Sequence, residues 1–136
     1  MTKVIFDNNG TLDKYMGDGI MAFFGKPVEY PDHALKACLA AIDMMQRVGE
    51  IRGRIRQQTG ADLKVRMGIN TGRVVVGNMG SKMAFGYTVI GDNVNLAARL
   101  EPTNKEYGTS CLISEATFQQ VKGRVLVRPI DRIRVK

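Results

Sequence analysis

Two pairs of polar side chains have residue types and spacing that could do chemistry. Lys14 and Asp18 lie four residues apart in LDKYMGDGIMAFFG (residues 12–25), a stretch that is otherwise mostly apolar. Gly17 and Gly19 flank the aspartate, so its carboxylate can project from a tight turn without burying its charge. Such a carboxylate can bind a metal ion or simply stabilise the turn, and an exposed lysine on an edge strand can serve only to discourage aggregation.

Asn95 and Arg99 form the second pair, in DNVNLAARL (residues 92–100). Residues four apart in a helix lie one turn apart on the same face. An amide beside a guanidinium suits sugar oxygens and a phosphoryl group, because the guanidinium donates a planar fork of hydrogen bonds. An ordinary solvated polar face is the alternative.

Turn residues and hydrophobic spacing predict the elements that position these pairs. Residues 1–6 resemble the last turn of a helix, and residues 11–17 and 19–24 form a hairpin. Pro31 and Asp32 suit the first turn of a helix, and the apolar stripe that follows them predicts that it continues to about residue 58. Further predicted elements are a second hairpin of strands 63–70 and 73–78, a loop at 79–86, an extended piece at 87–90, a helix from Asp92 or Asn93 through Leu100, a strand at 110–113, a helix at 114–121, and two strands in 124–136 bent at Pro129.

This order, with hairpins alternating with helices, predicts an α+β fold. We expect one domain over residues 1–136, built on a ferredoxin-like antiparallel sheet that has helices on one face and lacks its first strand.

Composition excludes several classes of protein. The chain has 136 residues, 44% of them hydrophobic and 24% charged, which argues against wholesale disorder. No apolar run is long enough to span a bilayer. Cys38 and Cys111 have no close-spaced companions, which favours buried thiols in a reducing compartment and therefore a cytoplasmic location. The net charge of +7 favours polyanionic ligands, although the basic residues of 124–136 can also be a solvated strand face.

Several segments together resemble the catalytic domain of class III nucleotidyl cyclases, the adenylate and guanylate cyclase family. The hairpin segment 12–25 is followed by VRMGINTGRVVVGNMGS (residues 65–81), YTVIGDNVNLAARLE (residues 87–101) and KEYGTSCLISEATF (residues 105–118). These blocks occur in the family's order and spacing and cover nearly the whole chain.

The resemblance implies a reaction and its residues. In the family, the ribose 3′-hydroxyl of ATP attacks its own α-phosphorus and expels pyrophosphate, with two divalent cations, Mg²⁺ or Mn²⁺, held by two aspartates. Asp18 matches the second metal aspartate and Lys14 the lysine that reads the base. Thr88 matches the second purine-reading position, Asn95 the residue that orients the ribose, and Arg99 the residue that stabilises the transition state.

The resemblance also implies a head-to-tail homodimer, in which the metal aspartates come from one subunit and the base-reading and transition-state groups from the other. Lys14 and Asp18 would then serve opposite sites. Lys14 together with Thr88 favours ATP over GTP, and threonine at position 88 is typical of a bicarbonate-responsive subgroup. Lys82 and Lys136 are further candidates for contact with the polyphosphate, whereas His33 is expected to be structural or exposed rather than catalytic.

The chain departs from the family pattern at both ends. The family's first strand, which carries the first metal aspartate, would precede residue 1, and a last turn and strand would follow Lys136. We therefore expect an N- and C-terminally truncated domain with little or no activity by itself, and a regulatory domain upstream.

Two other functions fit parts of the pattern. A non-catalytic cyclase homology domain would bind nucleotide or dimerise, although the retention of all five matched residues argues against decay of the site. A ferredoxin-like RNA-binding domain would fit the basic charge, but the chain has no tryptophan and no basic-glycine-aromatic block, so no nucleic acid partner is expected.

Overall fold

A computed structural model describes residues 1–81 and 84–134 of the protein. In chain order its elements are α1 (Thr2–Asp7), β1 (Gly10–Met16), β2 (Gly19–Phe24), α2 (His33–Thr59), β3 (Met67–Ile69), β4 (Val75–Ser81), β5 (Ala84–Ile90), α3 (Asp92–Tyr107), β6 (Cys111–Ile113) and α4 (Glu115–Val121). Within these residues, no helix combines the length and the apolar character that crossing a bilayer requires.

The strands form three pairs, and the predicted α+β class is confirmed. β1 pairs with β2 and β4 with β5, both antiparallel, whereas β3 and β6 run parallel. The predicted hairpin of 63–70 with 73–78 is wrong, because β3 pairs with β6 and β4 with β5. Residues 79–86 are accordingly not simply a loop, since they include the ends of β4 and β5. The turn after β3 contacts the start of α3 instead of reversing the chain into a paired strand.

Most of the helices begin and end close to the predicted residues. α2 begins at His33 after Asp32 and ends at Thr59, where Gly60 adopts a left-handed φ of 72°. α4 begins after Ser114, whose side chain accepts a hydrogen bond from the backbone of Thr117. The prediction that the third helix ends near Leu100 is wrong, because α3 continues to Tyr107.

α3 extends beyond the prediction because its last turns are anchored. Pro102 lies inside the helix, where it removes one backbone hydrogen bond. Asn104 is fully buried, and its amide donates to the carbonyl of Met67 on β3 at 2.8 Å. Its carbonyl oxygen accepts from Thr109 at 2.7 Å, so the side chain joins the helix to both β3 and the segment that leads into β6. These tertiary bonds offset the local penalty of the proline.

The C-terminal segment differs from the prediction of two strands, since residues 124–134 contain no strand. Tyr107 donates a hydrogen bond to Asp131 at 2.7 Å and thereby fastens this segment to the end of α3. The bond lowers the pKa of the Asp131 carboxyl and raises the pKa of Tyr107. Leu126 in this segment is fully exposed.

The core lies between α2, α4 and the parallel strand pair. Its buried residues include Ala34 and Cys38 of α2 and Val121 of α4, with Ile69 and Ile113 of the strands packed against them. Burial raises the pKa of the Cys38 thiol. Burial, together with a smaller electrostatic contribution from Cys38, raises the pKa of Cys111 to about 11. Both cysteines are free and remain protonated thiols near neutral pH.

α3 packs against β3 at a glycine. A Cβ at Gly68 would lie 2.5 Å from the carbonyl oxygen of Ala97 and 2.6 Å from the backbone nitrogen of Glu101. Nothing larger than a hydrogen atom fits there, and both obstacles are backbone atoms that cannot rotate away. Arg66 pairs with Glu101 at 2.8 Å beside this contact. The position of α3 is therefore fixed by backbone-to-backbone packing.

We predict that Gly68→Ala lowers the free energy of unfolding by about 1–3 kcal/mol, because the added methyl forces α3 away from β3. Gly53→Ala is the matched control. Gly53 lies in α2, and within the described residues no atom beyond its chain neighbours and the adjacent backbone of its own helix lies within 4 Å of the place that its new methyl group would take, so this substitution should stabilise the protein by up to about 1 kcal/mol. Urea unfolding followed by circular dichroism measures both. Equal stability of the two variants would contradict this packing.

Candidate active site

The hairpin of β1 and β2 presents Lys14 and Asp18. The strands pair through Met16 and Gly19, so Gly17 and Asp18 form the two-residue connection. Gly17 has a φ of 61°, which a type II′ turn requires at its first central position and which glycine adopts freely. Asp18 at the tip is exposed, so its carboxylate remains hydrated and accessible to a ligand.

Lys14 meets Thr88, although 74 positions separate them in sequence. The Nζ atom of Lys14 on β1 donates a hydrogen bond to Oγ1 of Thr88 on β5 at 3.2 Å. Packing of Phe23 against Tyr87, with ring centroids 6.0 Å apart, holds the two hairpins together beside this bond. The Lys14 ammonium, a hydrogen-bond donor, and the Thr88 hydroxyl, which can also accept, thus lie side by side at an exposed position.

Asn95 and Arg99 occupy the exposed side of α3, one turn apart on the same face. Leu100 and Asn104 on the other side of the helix are buried. The helix therefore directs the amide and the guanidinium to solvent, where both can reach a ligand. Within the part of the chain that the structure describes, no hydrogen bond joins this pair to Lys14, Thr88 or Asp18.

A cluster of amides fixes the start of α3. Asn70 donates to the backbone carbonyl of Asn93 at 2.9 Å and to its side-chain oxygen at 3.1 Å. Asn93 in turn donates to the carbonyl of Arg73 at 2.9 Å. A Cβ at Gly72 would lie 2.3 Å from the Asn93 amide, so the turn and the helix start are in close contact. Asn95, two residues further on, depends on this anchoring for its position.

Asp18 fits a role as one carboxylate ligand of a divalent cation. Among residues 1–81 and 84–134, no group of three or more His, Cys, Asp or Glu side chains could hold a metal ion. Mg²⁺ is commonly bound by one or two carboxylates together with substrate phosphates, and such a site needs no protein cage. The exposed carboxylate is therefore compatible with a cation that is shared with a nucleotide.

Two of the sequence-predicted candidates, Lys82 and Lys136, lie outside the described residues. The sequence analysis also missed two features near the site. One is the amide cluster, for which the sequence offers only two asparagines as a signal, Asn70 beside the turn after β3 and Asn93 at the start of α3. The other is Asp13, whose side chain is only 1% exposed and lies 3.5 Å from the Lys14 ammonium. In a regular strand Asp13 would point away from Lys14, so alternation alone gave no signal for this contact.

Residues 7–136 match the family described as the adenylate and guanylate cyclase catalytic domain. The chain therefore belongs to this family of nucleotidyl cyclases. Membership covers nearly all of the chain, including the hairpins and the helix that carry the candidate residues.

The similar proteins include some that are named adenylate cyclases and some that are named guanylyl cyclases. The chain is 37% identical over 135 residues to adenylate cyclase 1 of Rhizobium meliloti (strain 1021), covering 99% of this chain and 20% of that protein. The crystal structure of the guanylyl cyclase Cya2 superposes with a TM-score of 0.83 at 36% identity, covering 99% of this chain and 69% of that one. The adenylyl cyclase CyaB from P. aeruginosa superposes with a TM-score of 0.79 at 34% identity, covering 96% and 71%. The chain thus spans 20% of the length of the first of these relatives.

We predict that Asn93→Ala destabilises the protein relative to Asn95→Ala by about 1–2 kcal/mol, because it removes two side-chain hydrogen bonds, those with Asn70 and with the carbonyl of Arg73. Both substitutions lie in the first turns of α3 and gain similar helix propensity, so their difference reports the amide cluster. Thermal unfolding at one pH measures it. Identical melting temperatures for the two variants would show that the cluster does not anchor the helix.

Proposed function

We propose that this chain is the catalytic domain of an adenylate cyclase, which converts ATP to 3′,5′-cyclic AMP and pyrophosphate. The observation that carries the proposal is the contact between Lys14 and Thr88, the two positions that the family resemblance assigns to reading of the purine. Their hydrogen bond supports a shared role, since nothing in their sequence separation requires them to meet.

The chemistry of this pair favours adenine. An ammonium can only donate hydrogen bonds, and N1 of adenine is an acceptor, whereas N1 of guanine carries a hydrogen and would oppose it. The Thr88 hydroxyl has two lone pairs, so it can accept from Lys14 and also from the adenine 6-amino group. A guanine base would instead present its 6-oxo group to this position. Relatives named for each nucleotide exist, so the base-reading residues carry this part of the proposal.

Asn95 and Arg99 are proposed to act on the sugar and the phosphate. The Asn95 amide orients the ribose so that its 3′-oxygen faces the α-phosphorus. A bond forms between these atoms as the bond from the α-phosphorus to the pyrophosphate oxygen breaks, and the hydroxyl proton leaves to solvent. The Arg99 guanidinium stabilises the negative charge that develops on the α-phosphoryl oxygens. Positioning accounts for much of such an intramolecular reaction.

Asp18 is proposed to hold divalent cations together with the nucleotide phosphates. When bound, Mg²⁺ or Mn²⁺ would supply activation of the attacking hydroxyl and neutralisation of polyphosphate charge. The family resemblance implies a second metal aspartate, which none of these 136 residues matches. We therefore still predict that the 136-residue chain by itself has little activity. Lys82 and Lys136 remain candidates for binding the polyphosphate.

A second copy of the chain completes the proposed site. Asp18 would serve one active site, while Lys14, Thr88, Asn95 and Arg99 of the same copy serve the other, in a head-to-tail homodimer. The exposure of Asp18, Asn95 and Arg99 supports this arrangement, because each can reach a partner's nucleotide.

We also propose that the chain forms one domain of a cytoplasmic protein with a regulatory domain upstream. Because Thr88 is typical of the bicarbonate-responsive subgroup, we propose that the protein belongs to that subgroup.

The first test compares nucleotides. With Mn²⁺, a form of the protein extended upstream should convert ATP at least about tenfold more efficiently than GTP, and Lys14→Glu combined with Thr88→Cys should lower that ratio by about tenfold or more. Product formation by chromatography measures both. Addition of bicarbonate to the same assay tests the subgroup assignment. A protein that binds ATP but converts neither nucleotide would support the alternative, a non-catalytic nucleotide-binding or dimerisation module.

The second test is complementation between two variants. In the same upstream-extended form, Arg99→Ala should lower kcat by about 10²–10³-fold, because it removes a charged donor at the developing negative charge, and Asp18→Asn should abolish turnover. Mixing the two should restore activity, since each mixed dimer contains one intact site. Arg54→Ala, which removes an exposed arginine of α2, serves as the control with unchanged activity. Absence of any recovery on mixing would contradict the shared site.

A further inference from the structure

Asp13 is an anomaly on the site hairpin. Its side chain is 1% exposed, and neither carboxylate oxygen has a hydrogen-bond partner among residues 1–81 and 84–134. The neighbouring charge is the ammonium of Lys14, 3.5 Å from Oδ2. A buried carboxylate is costly unless it is paired, so its presence at this position calls for a physical reason.

A β-bulge explains how Asp13 reaches Lys14. Leu12 pairs with Ala22 and Lys14 pairs with Met21, so the ladder skips Asp13. Successive side chains of a regular strand point to opposite faces of the sheet. An extra residue in one strand breaks that alternation and re-aims the neighbouring side chains. The bulge therefore allows two adjacent charged groups to lie within 3.5 Å of each other.

The Lys14 ammonium is held from two sides. One contact is with the Asp13 carboxylate, and the other is the hydrogen bond to Thr88 at 3.2 Å. Lysine has a flexible four-carbon side chain, which loses affinity for a ligand if it must be ordered at the moment of binding. Two fixed contacts order it in advance. The Lys14 side chain nevertheless remains 49% exposed and so accessible to a base.

We propose that Asp13 is a positioning residue that fixes the Lys14 ammonium beside Thr88 and so contributes to the selection of adenine. This inference rests on the proposed function of Lys14 and Thr88 in reading the purine. Asp13 acts through Lys14 and does not itself contact the nucleotide, because its carboxylate is buried. Further along the same hairpin, the exposed Asp18 serves the cation instead.

The test replaces the carboxylate by an amide of the same shape. In the upstream-extended form of the protein, Asp13→Asn should raise KM for ATP roughly tenfold and lower the preference for ATP over GTP, with a smaller effect on kcat. Asp43→Asn on α2 is the matched control, since it removes a carboxylate that pairs with Arg47 at the surface and should leave the preference unchanged. A purely structural role would lower stability while leaving the preference as it is, and that result would overturn the proposal.

A double-mutant cycle tests whether Asp13 acts through Lys14. In the Lys14→Met background, Asp13→Asn should have no further effect on nucleotide affinity, because the group that it positions is gone. It should instead recover stability, since Lys14→Met alone leaves the buried carboxylate without a cation. Additive losses of affinity would mean that Asp13 has an independent role and would contradict the inference.

A measurement without nucleotide separates this inference from the proposed function. In the native protein, NMR relaxation of the methylene next to the Lys14 ammonium should show a more ordered group than the same methylene of Lys122, an exposed lysine after α4. Asp13→Asn should loosen Lys14 alone. Equal mobility of the two lysines in the native protein would overturn the inference even if no variant folds. If the protein bound no nucleotide but Lys14 were ordered, the proposed function would fail and the positioning would stand.

Discussion

The close approach of α3 to β3 is the constraint on which the candidate site depends. Gly68 brings the two backbones together without an intervening side chain, and Asn104 joins them through a hydrogen bond from its fully buried amide. Because these contacts involve backbone atoms, they leave the helix little freedom to slide or rotate. The face that carries Asn95 and Arg99 is thereby fixed, while the cluster around Asn93 fixes the start of the helix.

Two aspartates on one hairpin lie in different surroundings. Asp18 lies at the tip, where water and ligands reach it. Asp13 lies in a bulge, where its charge is removed from water and faces Lys14. Exposed ion pairs such as Arg52 with Asp62 contribute little to stability, because solvent screens them. The contact between Asp13 and Lys14 is different in kind, because removing Lys14 would leave the buried Asp13 carboxylate without a cation.

Local elements were predictable because their signals are local. The first hairpin followed from Gly17 and Gly19, and α4 from Ser114 as its cap, since turns and caps involve residues close in sequence. The partner of β3 was not predictable, because a short apolar strand does not show which other strand it will pair with. The length of α3 was missed for the same reason, as Asn104 is stabilised by Met67, far away in the chain.

The sequence by itself determined the family, the hairpin that presents Asp18, and the four-residue spacing of Asn95 and Arg99, because these depend on residue type and on local backbone geometry. The tertiary structure decided that Lys14 meets Thr88 and that Asp13 lies buried beside Lys14. The first contact needs two hairpins to pack together, and the second needs a bulge that strand alternation does not predict. Both arise from the way in which the strands pair and pack, and residue types along one segment do not specify that.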